Sequence, residues 1–279
     1  MSAGRNLAVT VLAAGLAATA FVAVQEAWGQ PAVTPKVIGG EAVALSENPW
    51  QVSLAAAGGG RAPLHFCGGA LIHRQWVLTA AHCVVSPLMN GAVVRGGASN
   101  LREPMHSARV LQTIVHPSYD RVTQRHDIAL VRIERVPEGV PVRAVAGPPP
   151  LLDLLIRFMP VRVTGWGISQ PGVNKSTAEL QGVELPVVDG ATCGQAPGYR
   201  SLITGQMLCL GDDARMAAAC NGDSGGPATV DFDGQRRLVG LTSFGLRNCI
   251  GPQGYSVFTR VSAYADWVAE QTRADVAWR

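Results

Sequence analysis

Short apolar runs separated by Gly-, Pro- and Asn-containing turns dominate the chain from Val37 onward. Val52–Leu54, Ala70–Ile72, Trp76–Ala80, Ile128–Ile133, Val161–Thr164, Leu238–Phe244 and Val257–Val261 have the length and side-chain types of β-strands. Past Ser262 the period changes. Tyr264, Trp267, Val268 and Gln271 recur at helical spacing, predicting one terminal helix over Ser262–Arg273, with Ser262 as its N-cap, packed back on the second half. Between Val136 and Pro150 the composition turns to Pro, Gly, Ala and Val, ending in Gly147-Pro148-Pro149-Pro150. Such a run makes a stiff linker. An all-β chain in two halves is therefore expected, about 37–140 and 150–261, followed by a helix at 262–273.

Upstream of the strands the pattern is of another kind. Arg5 sits in a short polar start, and Leu7–Val24 then runs apolar and alanine-rich without a charge, the layout of a secretory signal peptide. Small residues suited to cleavage end at Ala20 and at Gly29; both cuts stay open, and residues 1–29 are set apart from the fold. An uncleaved anchor competes with this reading, because the run reaches the ~17-residue minimum for a span. So much Ala and Thr makes a weak membrane helix, which favours the signal peptide and an extracellular destination.

Composition narrows the class. Of 279 residues, 47% are hydrophobic and 15% charged, which is ample for a core and too apolar for disorder. The formal net charge of +3 is too small to make nucleic acid an expected partner. Nearly all the positive charge is arginine; Lys36 and Lys175 are the only lysines. There are six cysteines: Cys67, Cys83, Cys193, Cys209, Cys220 and Cys249. An even number behind a signal peptide implies disulfides in an oxidising compartment, although six allow fifteen pairings and spacing selects none of them. No two stand at C-x-x-C spacing, which argues against zinc.

The strongest chemical signal is Asn221-Gly222-Asp223-Ser224-Gly225-Gly226-Pro227. A nucleophile must be open to a bulky substrate, and backbone N–H groups must face the oxyanion that develops. Gly222, lacking a Cβ, can turn its N–H into that hole, with the N–H of Ser224 as second donor. A serine hydroxyl also needs a base. Thr79-Ala80-Ala81-His82-Cys83 offers one at the end of an apolar strand, and Asp127, an acid opening the Ile128–Ile133 strand, can orient it. The order His, Asp, Ser is that of the chymotrypsin triad, not of subtilisin or the α/β-hydrolases. The remaining histidines, His65, His73, His106 and His116, match no motif and read as core or surface residues. His126 adjoins Asp127 but should point to the opposite face of the strand.

With these segments the chain resembles the chymotrypsin-like serine proteases from Val37 to about Trp267. The resemblance rests on Val37-Ile38-Gly39-Gly40, Trp50-Gln51-Val52-Ser53-Leu54, Cys67-Gly68-Gly69, the three motifs above, Gly165-Trp166-Gly167, Ser243-Phe244-Gly245 and Val257-Phe258-Thr259-Arg260-Val261. It implies two antiparallel six-stranded β-barrels with the active site between them, His82 and Asp127 on the first and Ser224 on the second, and a C-terminal α-helix. It implies the disulfides Cys67–Cys83, Cys193–Cys209 and Cys220–Cys249. It further implies a pro-segment, residues 30–36, cut after Lys36 so that the α-amine of Val37 pairs with Asp223. The peptidase domain then runs over 37–279. Polypeptides would be hydrolysed through an acyl-enzyme without a cofactor. The counterpart of the family's calcium loop, Gly96–Ser107, has Glu103 as its only acid, so no metal is expected.

The primary pocket departs from trypsin. The aspartate that selects Lys or Arg is replaced by Ala218, followed by Ala219; Asp212 and Asp213 lie too far upstream to reach the floor. Asn221, Ser243-Phe244-Gly245 and Ser256 complete the expected substrate-binding set. Gly245 leaves the mouth open, and Ser256, in place of a usual glycine, narrows the lower half. An uncharged floor disfavours a buried lysine or arginine, so cleavage after apolar residues of small to middle size is expected. The expected form is a secreted monomer, activated by an outside trypsin-like protease and open to protein inhibitors. The rival is an inactive protease-like binding or antimicrobial protein, which would usually lack a triad residue. A lipase would need the opposite triad order and a Gly-x-Ser-x-Gly elbow.

Overall fold

A computed structural model of the chain describes residues 37–59, 62–136, 157, 159–170, 175–211, 217–232, 234–246, 249–251 and 253–273. The expected signal peptide and pro-segment, the proline-rich linker beyond Val136, and Asp212 and Asp213 lie outside the described residues.

Six strands of the first half close on themselves: β2 (Gln51–Ala56), β3 (Leu64–His73), β4 (Trp76–Thr79), β5 (Val93–Gly96), β6 (His106–Val115) and β7 (Ala129–Ile133). They follow one another round the barrel as β2-β3-β4-β7-β6-β5, antiparallel throughout. The second half is a sheet of eight. Its strands are β8 (Val161–Gly165), β9 (Gln181–Leu185), β10 (Val187–Val188), β11 (Met207–Leu210), β12 (Pro227–Phe232), β13 (Gln235–Phe244), β14 (Ser256–Arg260) and, at one edge, β1 (Glu41–Ala42). Its order is β1-β9-β8-β12-β13-β14-β11-β10, a half-barrel whose ladder does not close among the described residues. β1 thus joins the sheet of the second half before the chain builds the first barrel.

The apolar runs read from the sequence are the strands buried on both faces. In β4, Trp76 and Leu78 face the core shared with Val163, Leu210, Leu241 and Phe258 of the second half, while Val77 faces the barrel interior with Leu54, Leu71 and Ile133. A strand between two cores has no solvent side, so it is apolar without a break. β6 is the opposite case. Most of it is exposed or half-buried, it has no apolar run, and the sequence does not announce it.

The chain end differs from expectation in three respects. Val261–Tyr264 is a 3-10 turn, and the α-helix proper is Ala265–Gln271. Ser262 lies inside the turn and is not an N-cap; Tyr264 holds that place, without a side-chain cap. The tight turn lets Val261 and Tyr264 enter the core together. The helix also docks on the first half, where Trp267 packs 5.1 Å from the His116 ring and Tyr264 Oη lies 3.1 Å from His126 Nδ1. No helix among the described residues is long and apolar enough to cross a membrane.

Candidate active site

β4 ends at Thr79 and the chain turns at once into a one-turn helix, α1 (Ala81–Val84), which carries His82. The first amides of a helix have no acceptor inside it. The amide of His82 finds one in Asp127 Oδ1 at 2.9 Å, and its Nδ1 lies 2.8 Å from Asp127 Oδ2. A carboxylate only accepts, so Nδ1 carries the proton and Nε2 is left as a lone pair. Two-point attachment fixes both the tautomer and the ring plane.

Asp127 is 1% exposed and is held from both halves of the molecule. Its Oδ2 also accepts from Ser243 Oγ at 2.5 Å, and its backbone carbonyl accepts from Thr259 Oγ1 at 2.7 Å. Ser243, expected in a pocket wall, thus has its hydroxyl committed to the acid. The Cys67–Cys83 disulfide ties β3 to the helix of His82, with Cys83 Sγ 3.6 Å from Nε2. Cys67, Cys83 and His82 form a cluster of metal-ligand types, but both sulfurs are consumed in the disulfide and offer no thiolate. His126 stays out of the site, although not because it alternates with Asp127 along a strand. It sits before β7 at a φ of +55°, stacked on His116 with ring centroids 5.1 Å apart.

The loop of Ser224 packs against β3 and the end of β4. Gly68 N donates to Ser224 O at 2.8 Å, and a Cβ on Gly225 would come within 2.7 Å of Gly68 O and 3.1 Å of Ala80 N. Ser224 is thus brought beside the segment that leads into His82. It is half-exposed, and its hydroxyl forms no hydrogen bond to His82 or to any other described residue.

Two further bonds orient the peptides expected to supply the oxyanion donors. In a planar trans peptide the N–H points away from the preceding carbonyl. Asn221 O accepts from Ile168 N at 2.8 Å, which turns the Gly222 N–H outward; Asp223 O accepts from Gly226 N at 2.8 Å, which does the same for Ser224. Gly222 sits at a φ of +99°, and a Cβ there would lie 2.9 Å from Gly167 Cα. Only glycine fits. His65, for which the sequence suggests no role, reaches Gly222 O with its Nε2 at 2.9 Å.

Asp223 is buried completely, with its carboxylate accepting from Gly167 N at 2.8 Å and Cys220 N at 2.9 Å. Burial pushes its pKa up to about 6 in spite of those two donors. No cation pairs with it among the described residues. Val37 is also fully buried, and Ile38 O accepts from Ala218 N at 3.1 Å, so this segment passes beside Ala218, the expected pocket floor.

Among the expected pocket residues, three are in contact. Ser256 Oγ accepts from Ala219 N at 3.1 Å, and a Cβ on Gly245 would stand 3.6 Å from Tyr255 O and 3.9 Å from Ser256 Cα. Ala218 and Ala219 are buried and Phe244 half-buried, while Asn221 is exposed at the rim. The other two disulfides, Cys193–Cys209 and Cys220–Cys249, brace this half; all three are the pairs that the resemblance implies.

Comparison with known proteins identifies the family. The family model described as Trypsin matches residues 37–268. The chain is 34% identical over 250 residues to the serine proteinase stubble of Drosophila melanogaster, an alignment covering 85% of this chain and 31% of that protein. The chain therefore spans about a third of the length of that relative.

Proposed function

The chain belongs to the trypsin family of serine proteases, and from that premise we propose that it is a secreted serine endopeptidase acting through an acyl-enzyme. Ser224 Oγ attacks the scissile carbonyl carbon while His82 Nε2 takes its proton; His82 then gives that proton to the leaving amine. Water enters by the same route and releases the acid. The N–H groups of Gly222 and Ser224 receive the oxyanion. The observation that carries the reading is the two-point bond of His82 to a buried Asp127, which leaves Nε2 unprotonated, while the Ser224 loop packs against the Thr79-Ala80 segment that leads into His82.

Activation and specificity follow from the same residues. A cut after Lys36 frees the α-amine of Val37, which supplies the cation that buried Asp223 lacks and holds the oxyanion loop in place. The pocket framed by Ala218, Ala219, Gly245 and Ser256 has no charge among the described residues, which supports a preference for apolar side chains of small to middle size. An outside protease with trypsin-like specificity is then the activator.

The test is labelling of the protein, cut after Lys36, with a fluorophosphonate, followed by peptide-library profiling. Labelling at Ser224 and cleavage after apolar residues are expected. A pure, cut and folded protein that takes no label is the inactive binding protein instead.

A further inference from the structure

His65 spans the two halves of the molecule. It stands on β3 of the barrel, where Nδ1 lies 2.8 Å from Ser53 Oγ on β2, and its Nε2 lies 2.9 Å from the carbonyl oxygen of Gly222. Trp166 packs edge-on against the ring at 5.7 Å. The partners decide the tautomer. A carbonyl oxygen can only accept, so Nε2 bears the proton, and the lone pair of Nδ1 takes the Ser53 hydroxyl proton. Solvent still reaches part of the residue, yet both nitrogens face protein, and desolvation holds the pKa down at about 4. The ring is neutral at neutral pH and keeps one donor and one acceptor.

What it holds is the most rotatable residue of the site. Gly222 joins two peptide planes, one bearing its N–H and the next bearing its carbonyl, and glycine restricts neither torsion. Ile168 N holds the first plane through Asn221 O, at 2.8 Å. Without a second hold, the plane beyond Gly222 could swing and carry the loop toward Ser224 with it. That hold is His65. We propose that His65 is a positioning residue of the oxyanion hole: anchored in the first barrel by Ser53, it holds the Gly222 carbonyl and thereby keeps the Gly222 N–H aimed at the reacting oxygen. The inference rests on the peptidase reading.

His65→Leu keeps much of the bulk and removes the donor. Deleting an oxyanion donor outright costs about 10²–10³ in kcat, so one left in place but poorly aimed should lose about tenfold to a hundredfold. The loss should fall on kcat with KM unchanged, and affinity for a peptide boronate, whose adduct is tetrahedral, should fall by the same factor as kcat/KM. A purely structural histidine would lower the unfolding temperature without that parallel. His65→Gln can present an amide N–H in place of Nε2 and should recover most of both. Ser53→Ala removes the anchor on Nδ1 and should give a smaller parallel loss, about threefold to tenfold; it carries the test if His65→Leu does not fold. Boronate affinity and kcat within twofold of wild type in these variants, a loss confined to KM, or a His65→Gln no better than His65→Leu would each overturn the inference. A cut wild type that neither turns over peptides nor binds boronate refutes the peptidase reading, and the inference with it. An active wild type with an unaffected variant refutes the inference alone.

Discussion

Keeping the chain uncut isolates the buried carboxylate of Asp223. In a Lys36→Gln variant the nitrogen of Val37 stays in a peptide bond, and no described cation faces Asp223. Its folded pKa of about 6 stands above the ordinary value of 3.8 because burial penalises the charge. The folded state therefore binds this proton more tightly than the unfolded one. The stability it contributes is fully present below about 3.8 and is lost as pH rises through about 6. A shift of about two pKa units corresponds to about 3 kcal/mol, of the size reported for stranding a buried charge. On the proposed pairing the Val37 amine meets that charge in the cut protein, so the loss should be absent. Pairing raises the amine above its free value of about 7.7–8.0; the stability of the pair is fully present below that value and is lost as pH rises through the raised one. Urea unfolding of the two forms, in steps from pH 4 to pH 10, measures the difference between them. It should widen by about 2–3 kcal/mol between pH 4 and pH 7 and narrow again at alkaline pH. A difference that stays flat from pH 4 to pH 7 would refute the pairing of Val37 with Asp223.

Three further outcomes are expected. Ser224→Ala should abolish peptide hydrolysis and leave the unfolding temperature unchanged, since its hydroxyl bonds nothing among the described residues; unchanged hydrolysis by the pure variant would end the serine-protease reading. Ser243→Ala removes a buried donor to Asp127 Oδ2, an interaction worth about 1.5–3 kcal/mol, so kcat/KM should drop about tenfold to a hundredfold in steady-state assays with folding intact. The uncut wild type, incubated alone at rising concentration, should show no Val37 N-terminus by sequencing, whereas trace trypsin should produce one; concentration-dependent self-processing would sink the uncharged pocket.

Local chemistry was legible along the chain. Strands buried on both faces, such as β4, show as unbroken apolar runs, and the glycines around Ser224 stand where a backbone must pass without a Cβ. The motifs of His82, Asp127 and Ser224, with the family they point to, needed no coordinates. Other features had no local signature. β6 is mostly exposed or half-buried and lacks a run to read. Ser262 looks like an N-cap, but the burial of Val261 and Tyr264 draws it into a 3-10 turn. Only folding decided that Ser243 serves Asp127, 116 residues away, and that His65 reaches Gly222, 157 residues away. A hydroxyl or an imidazole can bond to many groups, and its partner is chosen by which surfaces the two halves press together, whereas a turn or a buried strand is dictated by its own few residues.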